Sequence, residues 1–225
     1  MLPIIYVDNH LLVIEKPAGL LSQADRTGDT DVLTMAKAWV KREFNKPGDV
    51  YLGLVHRLDR PASGLMVLAR TSKAAARLSE QFKNKRITKR YLALVEGNPP
   101  DKEHFEDWLL KSYEKISVVK PDRKGARKAE LDLKVVKRYR GYSLVEIDLA
   151  TGRAHQIRVQ CSSRGYPLIG DFRYGSRTEL DGRNLALHAA RLQLEHPTKK
   201  EPMTWRSRPP NTWPTEVLSW LDRRS

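Results

Sequence analysis

The sequence predicts an α+β fold with a mixed, largely antiparallel central sheet and flanking helices. Short apolar runs occur in pairs across turn residues, as hairpins require. The helical segments stand singly among them, without the regular strand–helix–strand alternation of a parallel sheet. The chain has 225 residues, 40% hydrophobic and 30% charged, enough to bury one substantial core, and its length suits one domain or two small ones.

Ile4-Ile5-Tyr6-Val7 and Leu11-Leu12-Val13-Ile14 flank Asp8-Asn9-His10 and read as a hairpin, which Lys16-Pro17-Ala18-Gly19 breaks. A polar loop carrying Asp25, Gly28 and Asp31 leads into a helix with Leu33, Ala36, Val40 and Phe44 on one face. A second helix is expected over residues 72–85. Ala75, Leu78 and Phe82 form its buried stripe, Lys73, Arg77, Glu80 and Lys83 its wet face, and Thr71 or Ser72 its cap.

The run 90–95 is a strand, and Pro99-Pro100 is the one visible candidate boundary. Residues 105–119 read as strands with turns, and 120–128 as a basic, turn-rich loop. Leu131, Leu133 and Val135 alternate with Glu130, Asp132 and Lys134 in the next strand. Residues 142–149 pair with it through Arg140-Gly141. A helix over 154–164 ends at Gly165, with a tight turn at Gly152 before it. A strand over 185–194 follows, and Pro214 opens a last helix carrying Val217, Trp220 and Leu221.

The formal net charge is +14, which points to a polyanionic partner, with nucleic acid first. Positive charge also aids solubility and alone does not decide. No long apolar span, basic amphipathic helix, signal peptide or lipidation motif is visible, so no membrane partner is expected. Cys161 is the single cysteine and forms no internal disulfide, which suits a reducing compartment, the cytoplasm.

No phosphate loop, cysteine pair, HExxH motif or nucleophile elbow is found, so no cofactor and no metal is expected. His188 and His196 read as core or surface residues. Three polar clusters remain. In the first, Arg57-Leu58-Asp59-Arg60, two guanidiniums that close to Asp59 favour its ionised form. The second is Lys89-Arg90-Tyr91 at a strand start, and the third is the segment Thr151-Gly152-Arg153-Ala154-His155-Gln156-Ile157-Arg158. Taken singly, Asp59 reads as a salt bridge, Tyr91 as a strand residue, and Arg153 and Arg158 as surface or carboxylate-pairing groups.

Together and in this order the clusters resemble the signature of RluA-type pseudouridine synthases: His56-Arg57-Leu58-Asp59 with Ser63-Gly64-Leu65, then Lys89 and Tyr91, then Gly152-Arg153 with His155-Gln156-Ile157-Arg158. Glu15-Lys16-Pro17-Ala18-Gly19-Leu20 is similar to that family's N-terminal motif. Gly165-Tyr166-Pro167-Leu168-Ile169-Gly170-Asp171, Leu187-His188-Ala189 with Leu192, and His196-Pro197 resemble its C-terminal part. Ala62, Ala154 and Gln160 depart from the family pattern at flanking positions that bear on substrate contacts.

The resemblance implies one catalytic domain over 1–225, without an S4-type RNA-binding domain, acting as an isomerase on uridine in RNA. The C1′–N1 bond breaks, the uracil turns and a C1′–C5 bond forms. Asp59 maps onto the essential aspartate, which attacks C1′ or C6 or removes a proton. Tyr91 maps onto the tyrosine that stacks on the base, and Arg158 onto the cation that pairs with the aspartate. The uridine must leave its stack, and Arg57 matches the arginine that fills the vacated space. Arg60, Arg153, His155, Lys120, Arg123, Lys124, Arg127 and Lys128 are the remaining candidates for RNA contacts. The expected partner is a structured ribosomal or transfer RNA stem-loop, and a monomer is the simplest assembly. A non-catalytic RNA-binding or RNA-folding protein on the same scaffold is the alternative.

Overall fold

The computed structural model describes residues 2–113, 115–182 and 184–224. In chain order the elements are β1 (Ile4–Val7), β2 (Leu11–Lys16), α1 (Val32–Glu43), β3 (Gly53–Leu54), β4 (Ser63–Ala69), α2 (Ser72–Lys83), β5 (Thr88–Glu96), β6 (Lys102–Lys111), β7 (Ile116–Val119), β8 (Arg127–Arg138), β9 (Tyr142–Leu149), α3 (Gln156–Ser163), β10 (Leu187–Glu195), β11 (Pro202–Arg206) and α4 (Thr215–Asp222). A 3-10 turn, Phe172–Tyr174, lies between α3 and β10. The fold is α+β, as the hairpin pattern predicts, and the pairs β1–β2, β2–β4, β3–β4, β10–β11, β5–β9, β8–β9, β6–β8 and β6–β7 are antiparallel. No helix of the described residues is long and apolar enough to cross a membrane.

The chain divides into two compact units: residues 1–88 with 189–208, and residues 89–188 with 209–225. Pro99-Pro100, the boundary expected from composition, lies inside the second unit. The crossings fall instead at 88/89, 188/189 and 208/209; the first two carry no Pro or Gly, and the last coincides with Pro209-Pro210.

In the first unit the strands run β1-β2-β4-β10, with β3 beside β4 and β11 beside β10. Asp8 makes the first hairpin by accepting the amides of His10 and Leu11, each at 2.8 Å. Leu11 and Val13 of β2 join Leu65, Val67, Leu78, Leu192, Leu194 and Trp205 in one core cluster. Gly64, at φ +116, passes so close to Ala189 that a Cβ would sit 2.5 Å from its backbone nitrogen and oxygen.

Both helices turn the expected stripe toward the core, with differences at its ends. Asp31 caps α1 and Val32, Ala36 and Val40 are buried, whereas Phe44 is exposed, with the Arg70 guanidinium 4.1 Å over its ring. Thr71 caps α2 as expected, Leu78 is buried, and Ala75 and Phe82 pack half-buried against the core, joined by buried Ala74 and Gln81. Gln81 is buried because its amide closes two bonds with the main chain of Glu195, at 2.8 and 3.1 Å.

In the second unit the order is β5-β9-β8-β6-β7. Ala129, Leu131 and Leu133 of β8 point inward, the last two as the alternation predicts. The Arg140-Gly141 turn joins β8 to β9, with Gly141 at φ 88. The basic loop is shorter than expected: Arg127 and Lys128 already belong to β8. Helix α3 begins at Gln156, two residues later than the expected 154, because His155 adopts a left-handed conformation at φ 50. His155, rather than Gly152, therefore makes the sharp turn. Strands β3 and β11 and the 3-10 turn carry too few residues to show a period.

Candidate active site

Asp59 lies on the turn between β3 and β4, half-buried, in the first unit. Main-chain bonds to segment 16–22 hold the residues on either side of it. On one side the Ser22 hydroxyl donates to the Leu58 carbonyl at 2.7 Å and accepts the Leu58 amide at 3.1 Å. On the other, the Arg60 carbonyl accepts from the Gly19 amide at 2.8 Å and from Lys16 Nζ at 3.0 Å. Lys16 is 0% exposed and also donates to the carbonyls of Pro17 and Leu20, at 2.9 and 2.8 Å. Its burial pushes the ammonium down to about 7, against the attraction of Asp59 and with the repulsion of Arg60.

The neighbouring arginines take separate places. Arg57 is exposed. Arg60 donates from Nε to the Gly19 carbonyl at 3.1 Å and pairs with Asp29 at 2.8 Å, both partners about half exposed. His56 accepts the Val67 amide at Nε2, 2.9 Å away, which puts its proton on Nδ1, and its ring stacks on Phe82 at 4.9 Å. His56 thus anchors the start of the motif to β4.

Tyr91 and Arg158 belong to the second unit. Tyr91 is buried on β5 opposite Ile147 of β9. Lys89, two residues earlier, is held below the ordinary lysine value by burial. Arg158 is the third residue of α3, in its first turn. Its guanidinium makes a two-pronged pair with Asp171, Nε at 2.7 Å and Nη2 at 2.8 Å, with both side chains buried. It also lies 5.0 Å from the centre of the Tyr174 ring. The Tyr174 hydroxyl meets His155 Nδ1 at 2.8 Å, so His155 is tied into the same cluster. Asp171 and Tyr174 are partners that sequence reasoning did not name, although Asp171 stands in a motif quoted for the resemblance.

Gln156 shapes the loop before α3. Its Oε1 accepts from the Thr151 hydroxyl at 2.7 Å and the Arg153 amide at 3.0 Å, and its Nε2 donates to the Glu130 carbonyl at 3.0 Å. Arg153 is exposed, and its Nε donates to the Lys128 carbonyl at 3.0 Å. Lys120, Arg123, Lys124 and Arg127 are exposed. Lys128 is engaged by Glu130 at 2.8 Å and Glu106 at 3.2 Å, which leaves it less available to phosphate than its neighbours.

Gln160, expected to bear on substrate contacts, is fully buried and donates to Asp107 at 2.6 Å, so it anchors α3 to β6. His196 is a core residue whose Nδ1 accepts the Lys199 amide at 2.8 Å and whose Nε2 faces Asp8 at 2.8 Å. Among the described residues no group of three or more His, Cys, Asp or Glu is placed to hold a metal ion.

The model of the RNA pseudouridylate synthase family matches residues 10–163. The chain is 35% identical over 209 residues to ribosomal large subunit pseudouridine synthase D of Zymomonas mobilis, covering 87% of this chain and 65% of that protein. It is 34% identical over 236 residues to tRNA pseudouridine synthase C of Pectobacterium carotovorum, covering 95% of this chain and 60% of that one. The chain therefore spans somewhat under two thirds of the length of these curated relatives. Among solved structures it is similar to human RNA pseudouridylate synthase domain containing 4, with a TM-score of 0.81 and 25% identity, over 99% of this chain and 93% of that one. By its ordered motifs, its fold and the match over 10–163, the chain belongs to the RNA pseudouridylate synthase family.

Proposed function

We propose that this chain is an RNA pseudouridine synthase, an isomerase that converts uridine to pseudouridine within structured ribosomal or transfer RNA. The observation that carries the reading is the family match over 10–163 with Asp59, Tyr91 and Arg158 all retained in order. A protein that only binds RNA has no need of a carboxylate on a rigidly held turn in a chain of net charge +14.

Asp59 is the essential carboxylate, attacking C1′ or C6 or taking a proton from the ribose. The glycosidic C1′–N1 pair of electrons leaves with the uracil, the ring turns, and C5 bonds to C1′. The C5 proton is then lost and one returns to N1, so atoms balance without a co-reactant. Tyr91 stacks on the target base, and its hydroxyl is placed in the proton transfer from C5. Arg158, oriented by Asp171, supplies the positive charge that the ionised Asp59 requires in the reaction.

Arg57 fills the space left by the flipped nucleotide. Arg60, Arg153, His155, Lys120, Arg123, Lys124, Arg127 and Lys128 contact RNA, the exposed members of 120–127 first among them. The two units act as one catalytic domain, a reading supported by a family match that runs across both. The protein is a monomer of the cytoplasm. Supporting a reducing compartment, Cys161 is the single cysteine of the sequence, so no internal disulfide forms.

Incubation of the purified chain with ribosomal and transfer RNA transcripts, followed by pseudouridine mapping, tests the reading. New pseudouridine at defined uridines is expected. RNA binding without any product would establish the non-catalytic alternative.

A further inference from the structure

The sequence places Phe44 in the core stripe of α1, yet its ring stands 40% exposed at the end of that helix. A single ring in water is ordinary on a protein surface. This one is held. The Arg70 guanidinium lies 4.1 Å over it, and the Trp39 ring meets it edge-on at 6.2 Å. Arg70 is tied in turn to the first hairpin, its amide donating to the His10 carbonyl at 2.8 Å and its Nη1 to the Asp8 carbonyl. A guanidinium stacked on the ring fixes it without taking it out of water.

The way α1 ends adds charge beside the ring. Phe44 is the cap, and Asn45 turns left-handed at φ 47. The Lys46 amide donates to the Lys41 carbonyl at 3.0 Å, and the Asn45 amide to that of Arg42 at 3.4 Å. In such an ending the residues at 46 and 41 commonly make an apolar contact. Here both are lysines, and both are exposed. Lys37, one turn before Lys41, lies on the same face of the helix. Between 37 and 49 there are four cations against two acids, Glu43 and Asp49. Cations suit the carbonyl end of a helix. That attraction does not call for two ammonium groups in the place of an apolar contact, nor for an exposed ring beside them.

An unpaired nucleotide satisfies these groups together, because its base has a π-face for the ring and its phosphate is an anion for the lysines. Arg70 follows Ala69 at one end of β4, and the Asp59 turn precedes Ser63 at the other. The ring therefore lies about 20 Å from that turn along the strand.

We propose that Phe44, Lys41 and Lys46 form a second RNA subsite, which takes an unpaired nucleotide away from the Asp59 turn, its base stacked on the Phe44 ring and its phosphate on the two lysines. The proposal rests on RNA being the partner of this chain, and not on the reaction.

The probe is an oligouridylate of about twelve nucleotides carrying 4-thiouridine, used with the full chain. On irradiation it is expected to crosslink within residues 41–46, and no crosslink there overturns the subsite. By fluorescence anisotropy, Phe44→Ala and Phe44→Leu should each weaken binding about tenfold and Phe44→Trp should preserve it, since stacking needs a ring. Wild-type affinity in Phe44→Leu overturns the stacking. Lys41→Gln combined with Lys46→Gln should lower the slope of log Kd against log salt by about one. An unchanged slope overturns the phosphate contact. If the Phe44 variants do not fold, the crosslink and the salt slope decide. The same affinity in every variant, with no crosslink, would assign the patch to a protein partner instead. None of these measurements needs turnover, so a crosslink at 41–46 in a chain that makes no pseudouridine would refute the reaction and leave the subsite standing.

Discussion

The Asp59 turn and the Arg158 cluster fix a charged group in opposite ways. At Asp59 the main chain is held: Ser22 grips Leu58, and Gly19 and Lys16 grip Arg60. At Arg158 the side chain is held, by two charge-assisted bonds to a buried carboxylate and by the face of Tyr174. The difference suits the chemistry proposed for each. A nucleophile reacts through its carboxylate oxygens, and bonds to its backbone position it without consuming them. A cation that only balances charge can be fixed through its own guanidinium, since that group has five donors and a pair with Asp171 uses two.

The contrast predicts unequal mutational effects. The largest belongs to Asp59. Asp59→Asn leaves the bonds to the main chain of Leu58 and Arg60 in place and removes the reacting group. Product formation should drop by about three orders of magnitude or more with the Kd for RNA preserved. Substantial residual turnover would falsify the role.

Next is Asp171. Asp171→Ala leaves the Arg158 guanidinium buried without its carboxylate, and global stability in urea should fall by about 3–5 kcal/mol. A variant as stable as the wild type would show that the side-chain pair is not what holds Arg158.

Asp8 extends the comparison, because it is a side-chain hub inside the unit whose catalytic turn is held by main chain. Burial pushes its carboxyl up, but the amides of His10 and Leu11, then His196 and Tyr6, outweigh this and bring it down from 3.8 to about 2. A depressed carboxylate stabilises the fold fully above its unfolded value and loses that contribution as pH falls through the folded one. Asp8 should therefore contribute about 2 kcal/mol above pH 4, lost progressively as pH falls through about 2. Acid titrations of stability for wild type and Asp8→Asn should differ by this amount at neutral pH and converge below pH 2.

The smallest effect is expected at Ser22. Ser22→Ala leaves the Leu58 amide and carbonyl without their partner, for a loss of about 1–2 kcal/mol. A larger drop in turnover than in stability would sharpen the contrast, since it would show that Asp59 depends on the grip on Leu58.

Much of the fold was legible wherever a local rule was sufficient. Asp8 in the first hairpin, Thr71 at the start of α2, the alternation in β8 and Gly141 after it each act within a few residues. The helix phases were legible at their centres, at Ala36, Val40 and Leu78, but not at their ends, because Val32 and Leu33, or Ala74 and Ala75, are equally apolar and the docking partner chooses how deeply each is buried. Gln81 was missed because its burial depends on the edge of β10, more than a hundred residues away. The late start of α3 turns on one left-handed residue, His155, a residue type enriched in that conformation yet far more common outside it.

For the site, the sequence by itself determined the order of the motifs, the absence of the usual phosphate-loop, zinc and serine-hydrolase patterns, and through these the family. It also singled out Asp59, Tyr91 and Arg158. Only the tertiary structure decided what surrounds them: that Lys16 sits buried against the carbonyl after Asp59, that Ser22 grips the residue before it, and that Asp171 holds Arg158. The reason is physical. Main-chain carbonyls are the same at every residue, so a sequence cannot show which of them a distant ammonium or hydroxyl will reach. Nor can it show which of several carboxylates a guanidinium will meet until burial has removed water as the competing partner.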